Sequence, residues 1–174
     1  MLAEGGGPHR VSALLDSGLT RGQLRCAVDA GTLLLVRRGI VVPRQAWADA
    51  DLGIRRSWAL GSALLSFPGS WGSHDSAVRR WGLPEFRLPR DDHDEVPRTH
   101  ITRVGAARVD GWLTVHGCDT PPACVVAVDG IRTTDLVRTS IESAATRSLR
   151  GAIVLIDAAM RMAAQADHPE RELR

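Results

Sequence analysis

Two short segments of the sequence carry side chains that are suited to gripping a nucleic acid. The first holds Arg21, Gln23 and Arg25, and the second holds the adjacent pair Arg37 and Arg38. An arginine guanidinium is a planar fork of donors that fits phosphate oxygens and the edge of guanine, and a glutamine amide fits adenine. These residue types at this spacing could therefore recognise a DNA duplex through its backbone and its base edges.

To act together, these side chains need elements that hold them on one surface, and the local sequence first predicts two helices. Apolar side chains recur with helical spacing at 11–15, and Gly18 ends that run. Thr20 and Gln23 lie three residues apart, which is the pattern of a capping box that opens a second helix. The second helix is expected to end at Gly31. The apolar residues of its buried face are Leu24, Ala27 and Val28.

A β-hairpin is predicted directly after the second helix. Two aliphatic runs, 33–36 and 40–42, flank the short basic segment Arg37, Arg38 and Gly39. Helix, turn, helix and hairpin in this order predict a winged helix-turn-helix, whose second helix reads base edges while its wing lies near the backbone or the minor groove. The predicted DNA-contacting residues are Thr20, Arg21, Gln23, Arg25, Arg37 and Arg38. The alternative is an amphipathic helix with solvated arginines and a hairpin with a polar tip.

The charge of the chain is unevenly distributed, although the net charge is only +2. Residues 1–44 contain six arginines and three acidic residues, whereas residues 91–174 contain ten arginines and thirteen acidic residues. A basic first part and an acidic last part indicate that the first part is the one to meet a polyanion. An excess this small also occurs by ordinary variation, so charge alone does not decide the function.

The composition argues against the common classes of enzyme. All 22 basic residues are arginine, so the chain has neither the lysine of a phosphate-binding P-loop nor a lysine that could form a Schiff base. The patterns G-x-S-x-G, H-E-x-x-H and G-x-G-x-x-G are absent from the sequence. We therefore expect no catalytic residues and no cofactor.

The cysteines and the hydropathy predict a reducing, aqueous compartment. The chain has an odd number of cysteines and no C-x-x-C pair, which argues against a disulfide framework or a zinc ribbon. The three cysteines are Cys26, Cys118 and Cys124. The sequence has no apolar run long enough to span a membrane, and residues 1–10 lack the apolar stretch of a signal peptide. The expected location is the cytoplasm, with no membrane partner.

The rest of the sequence predicts helices around a small sheet. Helices are expected at 47–66, 73–81, 138–146 and 149–162, strands at 99–104, 112–116 and 124–128, and a polar loop at 87–95. The whole chain is therefore predicted to be α+β. A winged helix-turn-helix domain is expected at 1–46 and a small mixed domain at 47–174.

Three groups of residues in this second part could carry other chemistry. His74 lies between Ser73 and Asp75, but a catalytic triad needs convergent geometry, so His74 is interpreted as a structural hydrogen-bonding residue. The acidic run 92–95, after Gly72, is similar to a nucleotidyltransferase signature, but the gap is too long and a solvated acidic loop is favoured. A sheet could also bring together a zinc set whose spacing matches no common pattern, namely His100, His116, Cys118 and Cys124. No metal site is predicted.

Several segments, taken in order, resemble one known family. They are G-L-T-R-G-Q-L-R at 18–25, A-G-T-L at 30–33, V-R-R-G-I at 36–40, S-H-D-S-A at 73–77, W-G-L-P at 81–84, G-I-R-T-T at 130–134, V-R-T at 137–139 and the helix at 153–161. Over roughly 11–162, these segments occur in the same order as in the AbiEi-type antitoxins, and the chain resembles that family. These are the antitoxin and transcriptional regulator of type IV toxin–antitoxin systems in actinobacteria and their phages.

The sequence departs from that family pattern at three points. Val42 stands near the position where the family often has tyrosine, and Asp135-Leu136 replaces Ser-Pro. The chain ends at Arg174, where many relatives continue into a region that resembles a very-short-patch-repair endonuclease. We therefore expect a short or truncated form of the family.

The resemblance implies a phage-defence antitoxin that represses its own operon by binding operator repeats in double-stranded DNA. It also implies a nucleotidyltransferase-type toxin that is functionally linked without forming a stable complex. The second domain would form a homodimer that places two DNA-binding domains on the repeats, or would add phosphate contacts through Arg55, Arg56, Arg79 and Arg80. The alternatives are a protein-interaction module that binds a toxin or an exclusion factor, and a metal-dependent nuclease or nucleotidyltransferase.

Overall fold

Two β-sheets and the helices around them make the chain an α+β protein, as predicted. The computed structural model describes residues 7–85 and 98–167. The first elements along the chain are β1 (His9–Arg10), α1 (Val11–Asp16), α2 (Arg21–Asp29), β2 (Leu33–Arg37), β3 (Ile40–Pro43), α3 (Arg44–Asp49) and α4 (Leu52–Ser66). They are followed by β4 (Trp71–Gly72), α5 (His74–Arg80), β5 (Thr99–Arg103), β6 (Arg108–Asp110), β7 (Leu113–Gly117), a 3-10 turn (Pro122–Cys124), β8 (Val125–Val128), β9 (Ile131–Thr134), α6 (Leu136–Ala144) and α7 (Leu149–Asp167).

Helices α1 and α2 lie where the sequence predicts them. Gly18 follows α1 with a φ of +101°, a left-handed conformation that glycine adopts without strain. At the start of α2, Gln23 N donates a hydrogen bond to Thr20 Oγ1 (3.2 Å) and Thr20 N donates one to Gln23 Oε1 (2.8 Å). This is the predicted capping box, and it fixes the direction in which α2 leaves the turn.

The smaller sheet consists of the predicted hairpin and one added strand. Its three strands are antiparallel in the order β1-β3-β2. The central strand β3 is fully covered, since Ile40, Val41 and Val42 expose 2% or less of their surface. A β-bulge interrupts the pairing of β2 with β3 between Leu35 and Arg37. The bulge changes which side chains of β2 share a face.

The larger sheet has six strands in the order β6-β7-β5-β4-β9-β8. The pairs β5–β7 and β4–β9 are parallel, and the other neighbours are antiparallel. On one face of this sheet, Ile101, Leu113 and Val115 pack against α4 through Leu60 and Ala63. A second apolar cluster joins α5 to α7 and consists of Val78, Leu83, Leu155 and Ala159.

Two predicted helices differ from the structure because aspartates cap helices at other positions. The segment predicted as mostly helical at 47–66 is helical apart from one break, where Asp51 Oδ1 accepts a hydrogen bond from Ile54 N (2.8 Å) and starts α4 separately from α3. The helix predicted at 138–146 begins earlier, because Asp135 Oδ1 accepts a hydrogen bond from Arg138 N (2.7 Å). The helix predicted at 149–162 extends to 167.

The predicted strands at 99–104, 112–116 and 124–128 are confirmed within one residue at each end as β5, β7 and β8. Strands β1, β4, β6 and β9 are unpredicted, and the first three of these have only two or three residues, which are too few for a clear alternation. Ser73 stands at the N-cap of α5, as predicted, but its side chain makes no capping hydrogen bond. The predicted loop at 87–95, with its acidic run, lies outside the described residues.

The predicted domain boundary after residue 46 falls inside α3, and the division into two domains stays a prediction. Within 7–85 and 98–167, no helix combines the length and the hydropathy needed to cross a membrane.

Candidate nucleic-acid interface

Helices α1 and α2 and the β2–β3 hairpin border a groove that is lined mostly by apolar side chains and also by four arginines. Its volume is about 720 Å³, and arginines from three separate places along the chain line it. Arg10 comes from β1, Arg21 and Arg25 come from α2, and Arg38 comes from the turn of the hairpin. Asp29 is the one acidic side chain among the described residues that line this groove. The groove therefore combines an apolar surface with a net positive charge that favours an anionic ligand.

The first turns of α2 have one buried face and one exposed face. Leu24 is 7% exposed, whereas Arg21, Gln23 and Arg25 are exposed. Arg25 Nε lies 3.7 Å from Asp29 Oδ2, and the two side chains are 85% and 70% exposed. An ion pair in such open surroundings is weak, so a phosphate can replace Asp29 as the partner of Arg25.

The capping box limits what Thr20 and Gln23 can do. Gln23 Oε1 accepts hydrogen bonds from both Thr20 N (2.8 Å) and Thr20 Oγ1 (2.9 Å). Bidentate pairing with adenine needs both the oxygen and the nitrogen of an amide. With its oxygen in the box, Gln23 keeps only its amide nitrogen for a base, and Thr20 acts by positioning α2. The predicted pairing of Gln23 with adenine therefore requires the box to open.

The two neighbouring arginines of the hairpin have different surroundings. Arg38 is exposed and lines the groove. The Arg37 side chain is only 11% exposed, and its Nη2 lies 3.6 Å from Asp110 Oδ2. Its guanidinium carbon also lies 5.0 Å from the ring centre of Phe67 and 5.5 Å from that of Trp112. Burial lowers the pKa of Arg37, and the charge of Asp110 opposes that shift. This placement does not fit the predicted DNA contact, because Arg37 joins the hairpin to the larger sheet.

The β-bulge explains why Arg37 turns away from the groove. Side chains alternate along a strand, so Leu35 and Arg37 would share a face of a regular strand. Leu35 lines the groove and is 52% exposed. The pairing with β3 shifts between these two residues, which turns Arg37 toward the opposite side. Periodicity in the sequence does not reveal a single inserted residue.

Single alanine variants of these two arginines should have opposite effects. We expect Arg37→Ala to lower the free energy of unfolding by about 1–2 kcal/mol, since it removes the ion pair and the ring contacts. It should leave duplex affinity nearly unchanged. Arg38→Ala should change stability by less than about 0.5 kcal/mol but weaken duplex binding roughly fivefold to tenfold. Urea denaturation and fluorescence anisotropy measure the two quantities. An Arg37→Ala protein of full stability that loses DNA binding would contradict these assignments.

Arg10 lines the groove but is not among the DNA-contacting residues predicted from the sequence. Its Nη2 donates a hydrogen bond to the carbonyl oxygen of Leu65 at the end of α4 (2.5 Å), which ties β1 to that helix. The only signal for Arg10 in the sequence is its place in the basic first part of the chain.

A second group of side chains meets on the larger sheet, where three histidine rings stack. His74 comes from α5, His100 from β5 and His116 from β7. The His74 and His116 rings are nearly parallel, and their centres are 3.6 Å apart. His100 Nδ1 lies 3.0 Å from His116 Nε2. His74 has a φ of +48°, a left-handed conformation that costs energy for a residue other than glycine. The packing around its ring therefore holds the backbone in a strained position.

The three rings are neutral at neutral pH. Burial lowers the pKa of each histidine, and the pKa values of His100 and His116 fall to about 4. Because a neutral imidazole has one donor and one acceptor nitrogen, the His100–His116 contact joins an N–H to a lone pair. The cluster can therefore accept a proton only in acid, and it offers no positive charge to DNA at pH 7.

Asp75, which follows His74 in the sequence, pairs with an arginine. Asp75 Oδ1 accepts a hydrogen bond from Arg147 Nη2 (2.5 Å). Burial alone would raise the pKa of Asp75, but the charge and hydrogen bond of Arg147 outweigh it and lower that pKa. His74 Nδ1 lies 3.2 Å from Ser73 Oγ and 3.7 Å from Glu142 Oε2, and the structural role of His74 stays a prediction.

Only part of the zinc set considered from the sequence comes together. His100 and His116 meet, but the Cys118 sulfur accepts a hydrogen bond from Arg138 Nη2 (3.1 Å). In the part of the chain that the structure describes, no group of three or more His, Cys, Asp and Glu side chains is arranged to hold a metal ion.

The histidine cluster should make the protein less stable in mild acid. The unfolded chain takes up protons on its histidines near pH 6.5, whereas His100 and His116 resist protonation in the folded state down to about pH 4. Between these pH values the unfolded chain binds more protons than the folded chain. The free energy of unfolding is therefore retained above about pH 7 and decreases as the pH falls from 6.5 to 4. Urea midpoints at a series of pH values measure this. His116→Gln should flatten the profile, and the same change at the exposed His9 should not. Parallel profiles for His116→Gln and the wild type would contradict the interpretation.

In comparison with known proteins, the chain matches no family model, and no curated protein matches it significantly.

Proposed function

We propose that the chain is a DNA-binding transcriptional regulator that holds an operator duplex against the basic groove. The observation that carries this proposal is the convergence of Arg10, Arg21, Arg25 and Arg38 on one groove that contains a single acidic residue among its described lining. Arginines fixed on a helix and on a hairpin turn can contact the phosphates of a duplex and its base edges together. The proposed base-reading and backbone-contacting residues are Arg21, Arg25 and Arg38.

The order of the elements supports a winged helix-turn-helix as the DNA-binding fold. Helices α1 and α2 lie between β1 and the β2–β3 hairpin, and β1 pairs with β3 at the far side of the hairpin. Two helices followed directly by a β-hairpin are the order expected of a winged helix-turn-helix. In that fold α2 would be the recognition helix and the turn around Arg38 would be the tip of the wing.

We further propose, from the resemblance described above, that the chain is an antitoxin that represses its own operon in the cytoplasm. A single small DNA-binding domain binds modestly, so two copies on operator repeats make the physically sensible arrangement. The linked toxin would be of the nucleotidyltransferase type and would not need to form a stable complex with this chain.

A gel shift on the DNA directly upstream of the gene tests the proposal. The comparison is a scrambled duplex of the same length at two salt concentrations, because nonspecific binding to phosphates falls steeply with salt. We expect a shift that is specific for the upstream duplex and is retained at the higher salt. No shift, or equal shifts on both duplexes that salt abolishes, would contradict the proposal. A stoichiometric protein partner would then favour an interaction module.

A further inference from the structure

Helix α7 exposes a row of large apolar side chains along its length. Leu149, Ile153, Ile156 and Met160 are 78%, 58%, 41% and 68% exposed. On its other side, α7 packs into the core through Leu155 and Ala159, which are 0% and 6% exposed. The neighbouring α6 adds two more exposed apolar side chains, Val137 and Ile141. A helix that is apolar on two sides needs a partner on the second side.

The spacing of the exposed row is that of a coiled-coil seam. Successive members are four, three and four residues apart, so they occupy alternating d and a positions of a heptad repeat. The helix has 19 residues and is therefore about 28 Å long. The exposed row covers residues 149–160, about 17 Å of that length, and a straight seam of this kind fits one helix of matching pattern rather than a small ligand.

We propose that the row pairs with the same row of a second copy of this chain, with the two α7 helices antiparallel. In that arrangement Leu149 lies opposite Met160 of the second copy, and Ile153 lies opposite its Ile156. The seam is then complete and symmetric about a two-fold axis between residues 153 and 156, as an isologous dimer interface requires.

The charges beside the row select the antiparallel direction. Arg150 and Asp157 both follow a d position, and both are exposed. Antiparallel pairing brings Arg150 of each copy beside Asp157 of the other, which gives two symmetric ion pairs. Parallel pairing would place Asp157 beside Ala152 and leave Arg150, at the start of α7, without a facing position on the other helix, so it would give none. Within one copy, Asp157 already pairs with Arg161, and that exposed pair can be exchanged at little cost.

The contact would place four large, exposed apolar side chains of α7 from each copy against one another. The neighbouring α6 adds the exposed Val137 and Ile141 to the apolar surface of this part of the chain. Removal of such side chains from water is the expected driving force for the dimer. This inference does not depend on the proposed function, because the contact forms without DNA.

Sedimentation equilibrium of the whole chain without DNA tests the dimer and its direction. The wild type should dimerise, and Ile153→Glu should be monomeric. R150D and D157R should each dimerise about tenfold more weakly, because both ion pairs become like-charge contacts. The double variant R150D/D157R should regain the wild-type affinity. The control R132D makes the same charge change on an exposed residue of β9 and should dimerise normally.

A mixture of R150D and D157R decides the direction with folded proteins only. In the antiparallel arrangement, two copies of R150D place aspartates beside each other, and two copies of D157R place arginines beside each other. One copy of each variant places aspartates beside arginines, so the mixture should form a heterodimer about tenfold more tightly than either homodimer. A wild type that stays monomeric at about 100 μM would overturn the proposal. Equal homodimers of R150D, D157R and the wild type, with no preference in the mixture, would overturn the antiparallel pairing. Either result is independent of whether the chain binds DNA.

Discussion

Replacing Arg21 and Arg38 together by alanine should weaken binding to the operator duplex roughly 30-fold to 1,000-fold. The two guanidiniums reach the groove from α2 and from the hairpin turn, so the variant removes a contact from each wall. Loss of an arginine contact costs about 1–3 kcal/mol at a base edge and somewhat less at a phosphate. If both contacts are to phosphates, the slope of log affinity against log salt should also fall by about two. Fluorescence anisotropy titrations at several salt concentrations measure both effects.

The control for this prediction removes two arginines from another surface. Arg103 and Arg132 lie on β5 and β9 of the larger sheet and are exposed. Their double alanine variant has the same net charge as the groove variant. It should reduce duplex affinity by less than about threefold, since only the long-range field changes. Equal losses in the two double variants would show that net charge, and not the groove, holds the DNA.

Replacing Asp75 by alanine should lower the free energy of unfolding by about 2–4 kcal/mol, because it leaves Arg147 buried without its partner. The Arg147 side chain is 10% exposed, and its Nη2 lies 2.5 Å from Asp75 Oδ1. This ion pair joins α5 to the segment between α6 and α7. The Nε of Arg147 has no hydrogen-bond partner among the described residues, so losing the carboxylate leaves the guanidinium still less satisfied. Urea denaturation at pH 7.5 measures the change.

An exposed aspartate and a double variant separate this effect from a general loss of charge. Asp29 pairs with Arg25 on the surface, so Asp29→Ala should change stability by less than about 0.5 kcal/mol. Adding Arg147→Met to Asp75→Ala should recover part of the loss, since an apolar side chain replaces the unpaired buried cation. A double variant less stable than Asp75→Ala alone would contradict the explanation.

The parts of the fold that the sequence predicts well are those that depend on local contacts. The capping box of Thr20 and Gln23 involves residues three apart, and the structure contains both of its hydrogen bonds. The hairpin after α2 depends on two aliphatic runs and a glycine turn, and its strands pair as predicted. Asp51 and Asp135 could have been recognised as caps by the same local logic, but apolar periodicity alone hides the break between α3 and α4.

The parts that the sequence does not predict depend on contacts between distant segments. His74, His100 and His116 meet only because β5 and β7 are parallel neighbours and α5 packs beside them. Arg37 is largely buried and Arg38 is exposed because of one bulge in β2 and because of Asp110, which is distant in the sequence. No periodic pattern encodes either of these arrangements.

The most direct test of the central claim is to map a bound duplex onto the protein by NMR. The upstream duplex is titrated into ¹⁵N-labelled protein, and the backbone amide and arginine Nε signals are followed. We predict that the signals of α2, of the hairpin turn and of the Arg21, Arg25 and Arg38 side chains shift and saturate together, while the Nε signal of Arg37 does not. Shifts confined to the larger sheet or to α6 and α7, with the groove signals unchanged, would contradict the account.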